Sequence, residues 1–561
     1  MEGIFTEFLN NYQQQFIAAG RELDKEEIPQ LTEELFSLFE RTGNRLKYEN
    51  VYFKRRRFLT VYAMLSIMYG EQSRISRLEE IIEAISSEEC WALPAHVDRS
   101  GKDWRITIDL FAAETAFSLA EITCLLKNRL SADLQEKVRK EIFGRVIEPF
   151  EKSAFPYSSW EVSQMNWCAV CCGSIGSAAI YLLQDDRARL DKLLKRINDS
   201  IVNYIKGFSD DGACLEGLGY YTYGMSFFTA YADLMYRYSK GKIDLFEDTK
   251  LKNIALFQQK CFLTGDVTVS FSDSGRNEKY RLGLTAYLSR RFPEVEIPSV
   301  SLAADMETDN CYRYIVLSRD YFWTKDQTGN VILKREQHTV LPQAQWIVCR
   351  SDNDRVLAAK GGHNDEPHNH NDVGSFIYAC EGEIILDDIG AGEYTKDYFG
   401  ENRYKYLCCR SLGHNVPLID GKEQLSGAQY RAANFVSDSS GKTELDIEAA
   451  YGLSANDKIT RSFFLERNSG ICTITDNFRS SGNVEITENL VTSYRPVISG
   501  SDFVIKTPKN EFIIRIINGE ELNIIKKSYN DHYGIERDLW LMQWMVLGGY
   551  TKIIIKGTSK D

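Results

Sequence analysis

Histidine is concentrated in one segment of the chain, residues 360–372, whose sequence is KGGHNDEPHNHND. It holds three of the seven histidines, and His414 follows in the same region. The imidazole ring changes its charge near neutral pH and is the commonest metal ligand in proteins. The segment leads into an apolar, strand-like run and then into a DDIG turn at residues 387–390. This density of histidine indicates an active site, with a polar surface loop as the alternative.

Hydrophobic periodicity divides the chain into two parts. Up to about residue 310, apolar residues recur at helical spacing. The predicted helices are 31–39, 58–68, 106–126, 134–150, 175–183 and 190–208. From about residue 311, short β-rich runs separated by turn residues predict strands. The predicted strands are 314–317, 346–349, 356–359, 375–379, 383–386, 459–465, 470–477, 503–506, 512–517 and 539–546.

These two patterns predict a multidomain α+β protein. Consecutive antiparallel helix pairs that stack side by side form an (α/α) toroid. Short strands with turn signals every 8 to 15 residues are typical of an antiparallel β-sandwich. We therefore predict a toroid domain at residues 1–310 and a β-sandwich domain at residues 311–561.

The composition excludes some classes of partner. A net charge of −13 argues against a nucleic-acid or membrane-surface binder. The start of the chain, MEGIFTE, lacks the features of a secretory signal, so a cytoplasmic protein is expected if Met1 is the natural start. The 13 cysteines include a CxxCC at residues 168–172, but no second CxxC pair completes a zinc site. We interpret them as reduced, mostly buried thiols.

Three side chains near the histidine-rich segment could bind a metal. His368 and His370 are two residues apart on a segment that runs into a predicted strand, so both should face the same side. His370, His414 and Asp388 together provide two imidazoles and a carboxylate, which suits Zn²⁺. In the alternative interpretation, Asp387 and Asp388 only build a turn.

The helical part contributes two further candidates. Residues 211–223, DGACLEGLGYYTY, combine acidic, glycine and tyrosine residues, and Tyr220 could serve as a general acid or base. A structural aromatic at the start of a helix is the alternative. Asn166 precedes an apolar helix, where it could cap that helix or present its amide to a substrate carboxylate.

Several of these motifs, taken together, resemble the heparinase II/III superfamily of polysaccharide lyases. The resemblance covers about residues 90–420. The segments that carry it are 108–116, 211–220, 361–376, 388–394 and 412–415. It implies an (α/α) toroid joined to an antiparallel β-sandwich, with the site in the cleft between them. The implied reaction is β-elimination at a glycosidic bond that is 4-linked to a uronic acid.

The resemblance also implies roles for individual residues. Tyr220 matches the catalytic tyrosine, His368 the active-site histidine, and Asn166 the residue that neutralises the uronate carboxylate. His370, Asp388 and His414 match the metal-binding set of zinc-containing members, and we expect that zinc to be structural. Some relatives have histidine after the asparagine, where this chain has Trp167, so more of the proton transfer falls to Tyr220 and His368.

Other side chains are expected around the substrate or the metal. Aromatic and polar loops of the helical part should line a groove, and Arg410 could bind acidic groups in a bidentate manner, with a surface arginine as the alternative. The predicted substrate-binding residues are Trp167, Glu216, Tyr221, Tyr223, His363, Arg410 and His96. Asn369 and Asn371 are expected to support the metal ligands from behind.

The sequence leaves alternatives to a lyase acting on an anionic, uronate-containing oligosaccharide. A glycoside hydrolase on the same toroid would need two carboxylates, for which Asp211 and Glu216 are the candidates. A non-catalytic protein with a structural zinc is a third hypothesis. Among lyase substrates, fragments of hyaluronan, chondroitin or heparan and alginate oligosaccharides all fit the chemistry. The oligomeric state is open, with a homodimer as one option.

Overall fold

A computed structural model describes residues 3–325, 327, 334–454, 456–480, 482 and 484–558. The described residues form two compact units. Unit 1 takes its residues from Met1–Phe208, Tyr221–Ala255 and Lys279–Leu333. Unit 2 takes its residues from Ser209–Tyr220, Leu256–Glu278 and Lys334–Asp561.

Most residues of unit 1 are helical. Across the described residues, the α-helices are α1 (Ile4–Leu23), α2 (Glu33–Phe36), α3 (Leu38–Thr42), α4 (Leu46–Tyr69), α5 (Gln72–Ser86), α6 (Leu110–Leu125), α7 (Ala132–Ile142), α8 (Glu148–Lys152), α9 (Asn166–Leu182), α10 (Arg187–Lys206), α11 (Leu218–Tyr238), α12 (Lys250–Cys261), α13 (Leu282–Arg291) and α14 (Tyr314–Phe322). In α10, buried Leu190, Leu194, Ile197 and Ile201 follow the helical period, as the sequence predicted. Asp186 caps this helix by accepting a hydrogen bond from the Arg189 backbone N–H.

Antiparallel strands dominate unit 2. The strands are β1 (His338–Leu341), β2 (Trp346–Arg350), β3 (Arg355–Lys360), β4 (His363–Asn364), β5 (Phe376–Cys380), β6 (Glu383–Leu386), β7 (Leu418–Ile419), β8 (Gly427–Arg431), β9 (Ala433–Ser437), β10 (Thr443–Asp446), β11 (Lys458–Leu465), β12 (Cys472–Arg479), β13 (Ile486–Thr492), β14 (Val497–Ser499), β15 (Asp502–Lys506), β16 (Glu511–Ile517), β17 (Gly519–Asn530), β18 (Glu536–Val546) and β19 (Tyr550–Thr558). The largest sheet has the order β14-β15-β16-β19-β12-β11-β10-β9. The other sheets are β1-β2-β3-β5-β6, β17-β18-β13-β7 and β4-β8.

One hydrophobic core joins the three larger sheets of unit 2. Phe376 of β5, Ile474 of β12 and Trp544 of β18 belong to the same buried cluster. Along β11 and β12, buried and less buried residues alternate, as expected for strands with one face on a core. The inward positions include a charged pair, Arg461 opposite Asp476. The core therefore contains an ion pair as well as apolar side chains.

One predicted element is of the wrong type, and another is divided in the structure. The run Tyr314–Leu317 was predicted as a strand, but it opens helix α14, and the first strand among the described residues begins at His338. The predicted helix 31–39 is two short helices, α2 and α3, that meet at Ser37. The predicted boundary between the toroid and β-sandwich domains at residue 310 stays a prediction.

The cysteines are free thiols. Of the 13, all but Cys124 and Cys311 are buried, which confirms the prediction that the thiols are mostly buried. Within the described ranges, no helix combines the length and the apolar composition needed to cross a membrane.

Candidate active site

The histidine-rich segment is anchored at its base by a buried lysine. Lys360, the last residue of β3, is almost completely buried, and its Nζ lies 2.7 Å from Asp372 Oδ1 and 3.5 Å from Glu366 Oε2. Burial alone would lower the pKa of Lys360, but the two carboxylates outweigh burial and raise that pKa. The charged lysine therefore ties both ends of residues 360–372 together.

His368 and His370 lie in a loop, on the segment that leads to strand β5. His368 has φ 58°, in the left-handed region that residues other than glycine seldom adopt. The two rings still face a common partner, Asp273. His368 Nδ1 lies 2.8 Å from Asp273 Oδ2, and His370 Nε2 lies 2.9 Å from Asp273 Oδ1.

Asp273 is the residue that the sequence analysis missed. It lies between α12 and α13, in the turn FSDSG at residues 271–275, with nothing in that turn to mark it as functional. Its buried carboxylate accepts hydrogen bonds from five side chains. They are His368, His370, Tyr394 (3.0 Å), Tyr398 (2.5 Å) and Arg403 (3.3 Å). Burial raises the pKa of Asp273, but the bonds and charges of the two histidines outweigh burial and hold that pKa well below its usual range.

Tyr220 reaches this cluster because helix α11 begins next to Asp273. The backbone N–H of Leu218 donates to Ser274 Oγ, 3.2 Å away. Gly217 precedes the helix with φ 104°, and a Cβ there would lie 2.8 Å from Ser274 Cβ, so the approach requires glycine. Two residues into the helix, the Tyr220 ring stacks on the His368 ring, with 4.1 Å between centroids.

The Tyr220 hydroxyl belongs to a hydrogen-bonded chain. It lies 2.6 Å from the Tyr394 hydroxyl, which in turn donates to Asp273. Glu216, a predicted substrate-binding residue, is buried close by, with its Oε2 3.9 Å from His368 Nε2. Unit 2 thus brings two potential proton-transfer groups, Tyr220 and His368, into direct contact.

Three predicted metal ligands also lie together. His370, Asp388 and His414 are fully buried, and one potential ligand atom from each lies within 4.8 Å of the others. His414 Nδ1 is 3.2 Å from Asp388 Oδ2. The prediction that these three side chains are neighbours is confirmed.

The donor set fits a metal ion. His370 Nδ1 is buried and has no hydrogen-bond partner among the described residues. The other nitrogen of each ring is already engaged, His370 Nε2 by Asp273 and His414 Nε2 by the Cys408 carbonyl at 2.8 Å. Engaging the far nitrogen is how proteins orient histidines toward a metal. These partners are not the predicted Asn369 and Asn371, which contact each other at 3.2 Å.

Electrostatics also favours a cation at this position. Burial lowers the pKa of His414, but the adjacent Asp388 carboxylate outweighs burial and raises that pKa to about 9. Burial likewise lowers the pKa of His370, and Cys409 and Asp273 raise it to about 9. Groups that hold protons this firmly lie in a negative environment, which also favours a metal cation.

A buried arginine holds the loops that carry the histidines. Arg461 Nη1 donates to the carbonyls of Gly374, at 2.9 Å, and of Asn415, at 2.6 Å. Asn415 follows His414 directly, and Gly374 follows the histidine-rich segment. The fully buried Asn415 side chain also donates to the Asp387 carbonyl, beside Asp388. The core of the sheets therefore positions both halves of the candidate metal site.

The predicted site residues of unit 1 have their own local contacts. Asn166 is the first residue of α9, and Met165 holds the N-cap position, so the capping alternative for Asn166 is wrong. The Trp167 ring lies 4.9 Å from the His96 ring, edge to face. His96 Nδ1 is 2.8 Å from Asp109 Oδ2.

Two predicted tyrosines of unit 1 are engaged within its interior. Tyr221 is fully buried, and its hydroxyl donates to the Ala255 carbonyl at 3.4 Å. Tyr223 donates a hydrogen bond to Glu114, and the Arg313 guanidinium lies 4.1 Å from the Tyr223 ring centroid. These contacts are typical of packing residues, so we leave both tyrosines out of the proposed site.

The two remaining predicted residues, Arg410 and His363, belong to unit 2. Arg410 forms a two-point ion pair with Glu423, with Nε 2.9 Å and 3.0 Å from the carboxylate oxygens. This pairing corresponds to the structural alternative for Arg410. His363 lies on β4, and its Nδ1 accepts a hydrogen bond from the Asp365 backbone N–H.

Several solved lyase structures have the same fold. The chain matches heparinase III over 100% of its own length and 92% of that chain, with a TM-score of 0.66 and 13% identity. It matches a mutant heparan sulfate lyase from Pedobacter heparinus over 99% of its own length and 89% of that chain, with a TM-score of 0.62 and 14% identity. It matches the Streptomyces coelicolor chondroitin AC lyase over 98% of its own length and 83% of that chain, with a TM-score of 0.53 and 12% identity. The predicted fold, a helical toroid followed by an antiparallel β-sandwich, is confirmed.

The C-terminal part of the chain also matches a family model. Residues 334–541 match the family model described as Heparinase II/III-like, C-terminal. This match agrees with the resemblance that the motifs between residues 361 and 415 indicated. No curated protein sequence matches the chain.

Proposed function

We propose that the protein is a polysaccharide lyase that cleaves a glycosidic bond 4-linked to a uronic acid by β-elimination. The observation that carries the proposal is the contact between Tyr220 and His368, whose rings stack with 4.1 Å between centroids. Both side chains can transfer protons, and the reaction needs two proton transfers: removal of the C5 proton and protonation of the leaving O4.

In this proposal Tyr220 is the residue that exchanges protons with the sugar ring. Its hydroxyl is hydrogen-bonded to Tyr394 at 2.6 Å, so it is already oriented by a partner. His368 supports Tyr220 or acts from the other face of the sugar. Asn166, in unit 1, is proposed to bind the uronate carboxylate, because an amide N–H stabilises the enolate-like charge that develops there.

The proposed metal is zinc, held by His370, Asp388 and His414. Two imidazoles and one carboxylate are a common ligand set for Zn²⁺. When bound, the ion would cross-link the loops that carry these three residues and so fix their positions. We assign it a structural role, because His370 lies two residues from His368 and shares Asp273 with it.

The hydrolase alternative has less support in the structure. It requires Asp211 and Glu216 as a catalytic carboxylate pair. Asp211 Oδ2 instead accepts hydrogen bonds from the backbone of Gln343, at 2.8 Å, and of Ala344, at 3.3 Å. Its Oδ1 accepts from Ser209 and Ala213. A carboxylate with this many backbone partners is typical of a loop anchor.

For the substrate we propose glycosaminoglycan fragments of the heparan, chondroitin or hyaluronan type. The neighbours described as heparan sulfate lyase and chondroitin AC lyase support this choice. Alginate oligosaccharides undergo the same elimination and are the second candidate. The free thiols support a reducing compartment such as the cytoplasm, in which the substrate would be an imported oligosaccharide.

The test is a panel of defined uronate oligosaccharides, followed by ultraviolet absorbance of the unsaturated product and by product mass. A lyase gives new absorbance, whereas a hydrolase gives products that have gained water and do not absorb. Tyr220→Phe is expected to lower kcat by roughly 100- to 10,000-fold. Tyr236→Phe, at a half-exposed position on the same helix, is the matched control and should keep full activity. Cleavage without absorbance, or full activity of Tyr220→Phe, would refute the proposal.

A further inference from the structure

The two oxygens of Asp273 divide the candidate site between them. Oδ2 contacts His368, Tyr394 and Arg403, and Oδ1 contacts His370 and Tyr398. One carboxylate thus lies against both the proton-transfer group and a metal ligand. We propose that Asp273 is a positioning residue that sets the ring tautomers of His368 and His370 together. This inference rests on the proposed lyase function and adds a residue to it.

The hydrogens that the two rings must carry determine their tautomers. A carboxylate only accepts hydrogen bonds, so each ring nitrogen that contacts Asp273 must carry a hydrogen. These nitrogens are His368 Nδ1 and His370 Nε2. In the neutral rings, the lone pairs are therefore on His368 Nε2 and His370 Nδ1.

Both lone pairs are then on the nitrogens that metal binding and proton transfer require. His370 Nδ1 is the nitrogen left available to a metal, which binds only a deprotonated nitrogen. His368 Nε2 lies 3.9 Å from Glu216 Oε2 and can exchange a proton. With the opposite tautomers, His370 would present an N–H to the metal and His368 would lose its bond to Asp273.

The same count fixes the direction of the tyrosine chain. Tyr394 has one hydroxyl hydrogen, and it must point to Asp273, 3.0 Å away. The Tyr394 oxygen then accepts from Tyr220 across 2.6 Å, so Tyr220 is the donor in the resting state. Asp273 therefore orients the proposed catalytic tyrosine through one intermediate side chain.

The substitution Asp273→Asn gives a directional prediction. An asparagine keeps one acceptor oxygen and replaces the other oxygen by an N–H donor. Three donors, one of them the charged Arg403, face Oδ2, and two face Oδ1. The amide oxygen is expected at the Oδ2 position, and the NH₂ group then faces His370. His370 must change its tautomer, whereas His368 keeps its own.

The first experiment is long-range proton–nitrogen correlation NMR of the metal-free protein labelled with ¹⁵N-histidine. Spectra are recorded over a rising pH series until the histidine signals no longer shift, so that both rings are neutral. Histidine-to-glutamine variants assign the signals. The wild type should carry hydrogen on His368 Nδ1 and on His370 Nε2. Asp273→Asn should move the His370 hydrogen to Nδ1 and leave His368 unchanged.

The second experiment measures zinc affinity by competition with a chromophoric chelator. Asp273→Asn is expected to weaken zinc binding by roughly 10- to 100-fold. Tyr398→Phe is the matched control, because it removes a donor to Oδ1 without supplying a new one, and it should preserve both tautomers. The proposal is overturned if wild-type His370 carries its hydrogen on Nδ1. It is also overturned if Asp273→Asn changes neither the tautomer nor the zinc affinity.

These readouts separate the inference from the proposed function. Neither the tautomers nor the zinc affinity depends on turnover, so a protein inactive on every uronate substrate could still show them. If Asp273→Asn does not fold, the wild-type spectrum alone decides the tautomer of His370. If the protein is a lyase, Asp273→Asn should lower kcat more than it changes KM, because Asp273 acts through His368 and through Tyr394 on Tyr220.

Discussion

Replacing Arg461 by methionine should cost more stability than any surface ion pair of this protein provides. Arg461 is fully buried, and its guanidinium donates to both oxygens of Asp476, at 2.7 Å and 2.8 Å. It also donates to the carbonyls of Gly374 and Asn415. Methionine fills much of the same space but leaves a buried carboxylate without its cation.

The magnitude follows from that orphaned carboxylate. Breaking a buried ion pair from one side costs about 3–5 kcal/mol, since the remaining charge stays desolvated. Arg515→Met is the matched control, because Arg515 pairs with Asp502 at 3.5 Å and its side chain is 62% exposed. An exposed pair of this kind contributes about 0–1 kcal/mol.

The loss of stability can be measured by hydrogen–deuterium exchange of the backbone amides of β11, residues Lys458–Leu465, the strand that contains Arg461. A loss of 3–5 kcal/mol corresponds to exchange that is faster by roughly 100- to several thousand-fold, at 1.4 kcal/mol per factor of ten. Arg515→Met should change exchange less than about tenfold. A stability loss in Arg461→Met no larger than that in Arg515→Met would contradict this prediction.

Two further predictions concern the metal site and the interior of unit 1. Adding Zn²⁺ to chelator-treated protein should raise the midpoint of thermal unfolding, because a ligand that binds only the folded state stabilises it. The rise should be absent in His414→Ala, and an equal rise there would contradict the assigned ligands. Burial outweighs the Arg313 charge and the Tyr223 hydrogen bond and raises the pKa of Glu114 to about 7. The contribution of Glu114 to folding stability is therefore largest below pH 4.5 and falls as pH rises through about 7. Relative to Glu114→Gln, the wild type should lose up to about 3 kcal/mol between these pH values in urea unfolding, and parallel pH profiles would refute this.

Much of the fold follows from short-range patterns in the sequence. Strand β11 was predicted to within one residue at its start, because buried and less buried positions alternate along it. The run Tyr314–Leu317 was misassigned because a short apolar run without polar alternation does not distinguish a strand from a buried helix. In the structure, all residues from Tyr314 to Asp320 are buried, so α14 has no polar face on that stretch to reveal its helical period.

The candidate site was predictable where residue types are rare and clustered. Histidine is scarce in this chain, so His368, His370 and His414 stood out, and Asp388 followed from the same region. Asp273 could not be found this way, because aspartate in a turn is common and its histidine partners are 95 and 97 residues away. Long-range pairing of this kind is decided by packing, and local sequence carries no record of it.

Unit 2 is built from three separate chain segments, which limits where this protein can be truncated. Tyr220 and Asp273 come from chain segments that precede residue 334, yet they share a compact unit with the histidines that follow it. A fragment that starts at residue 334 would retain the three proposed zinc ligands. It would lose Tyr220 and also Asp273, the residue proposed to orient the rings of His368 and His370. Truncation at residue 334 would therefore yield a protein that keeps the motifs between residues 361 and 415 and lacks two of the side chains proposed to act beside them.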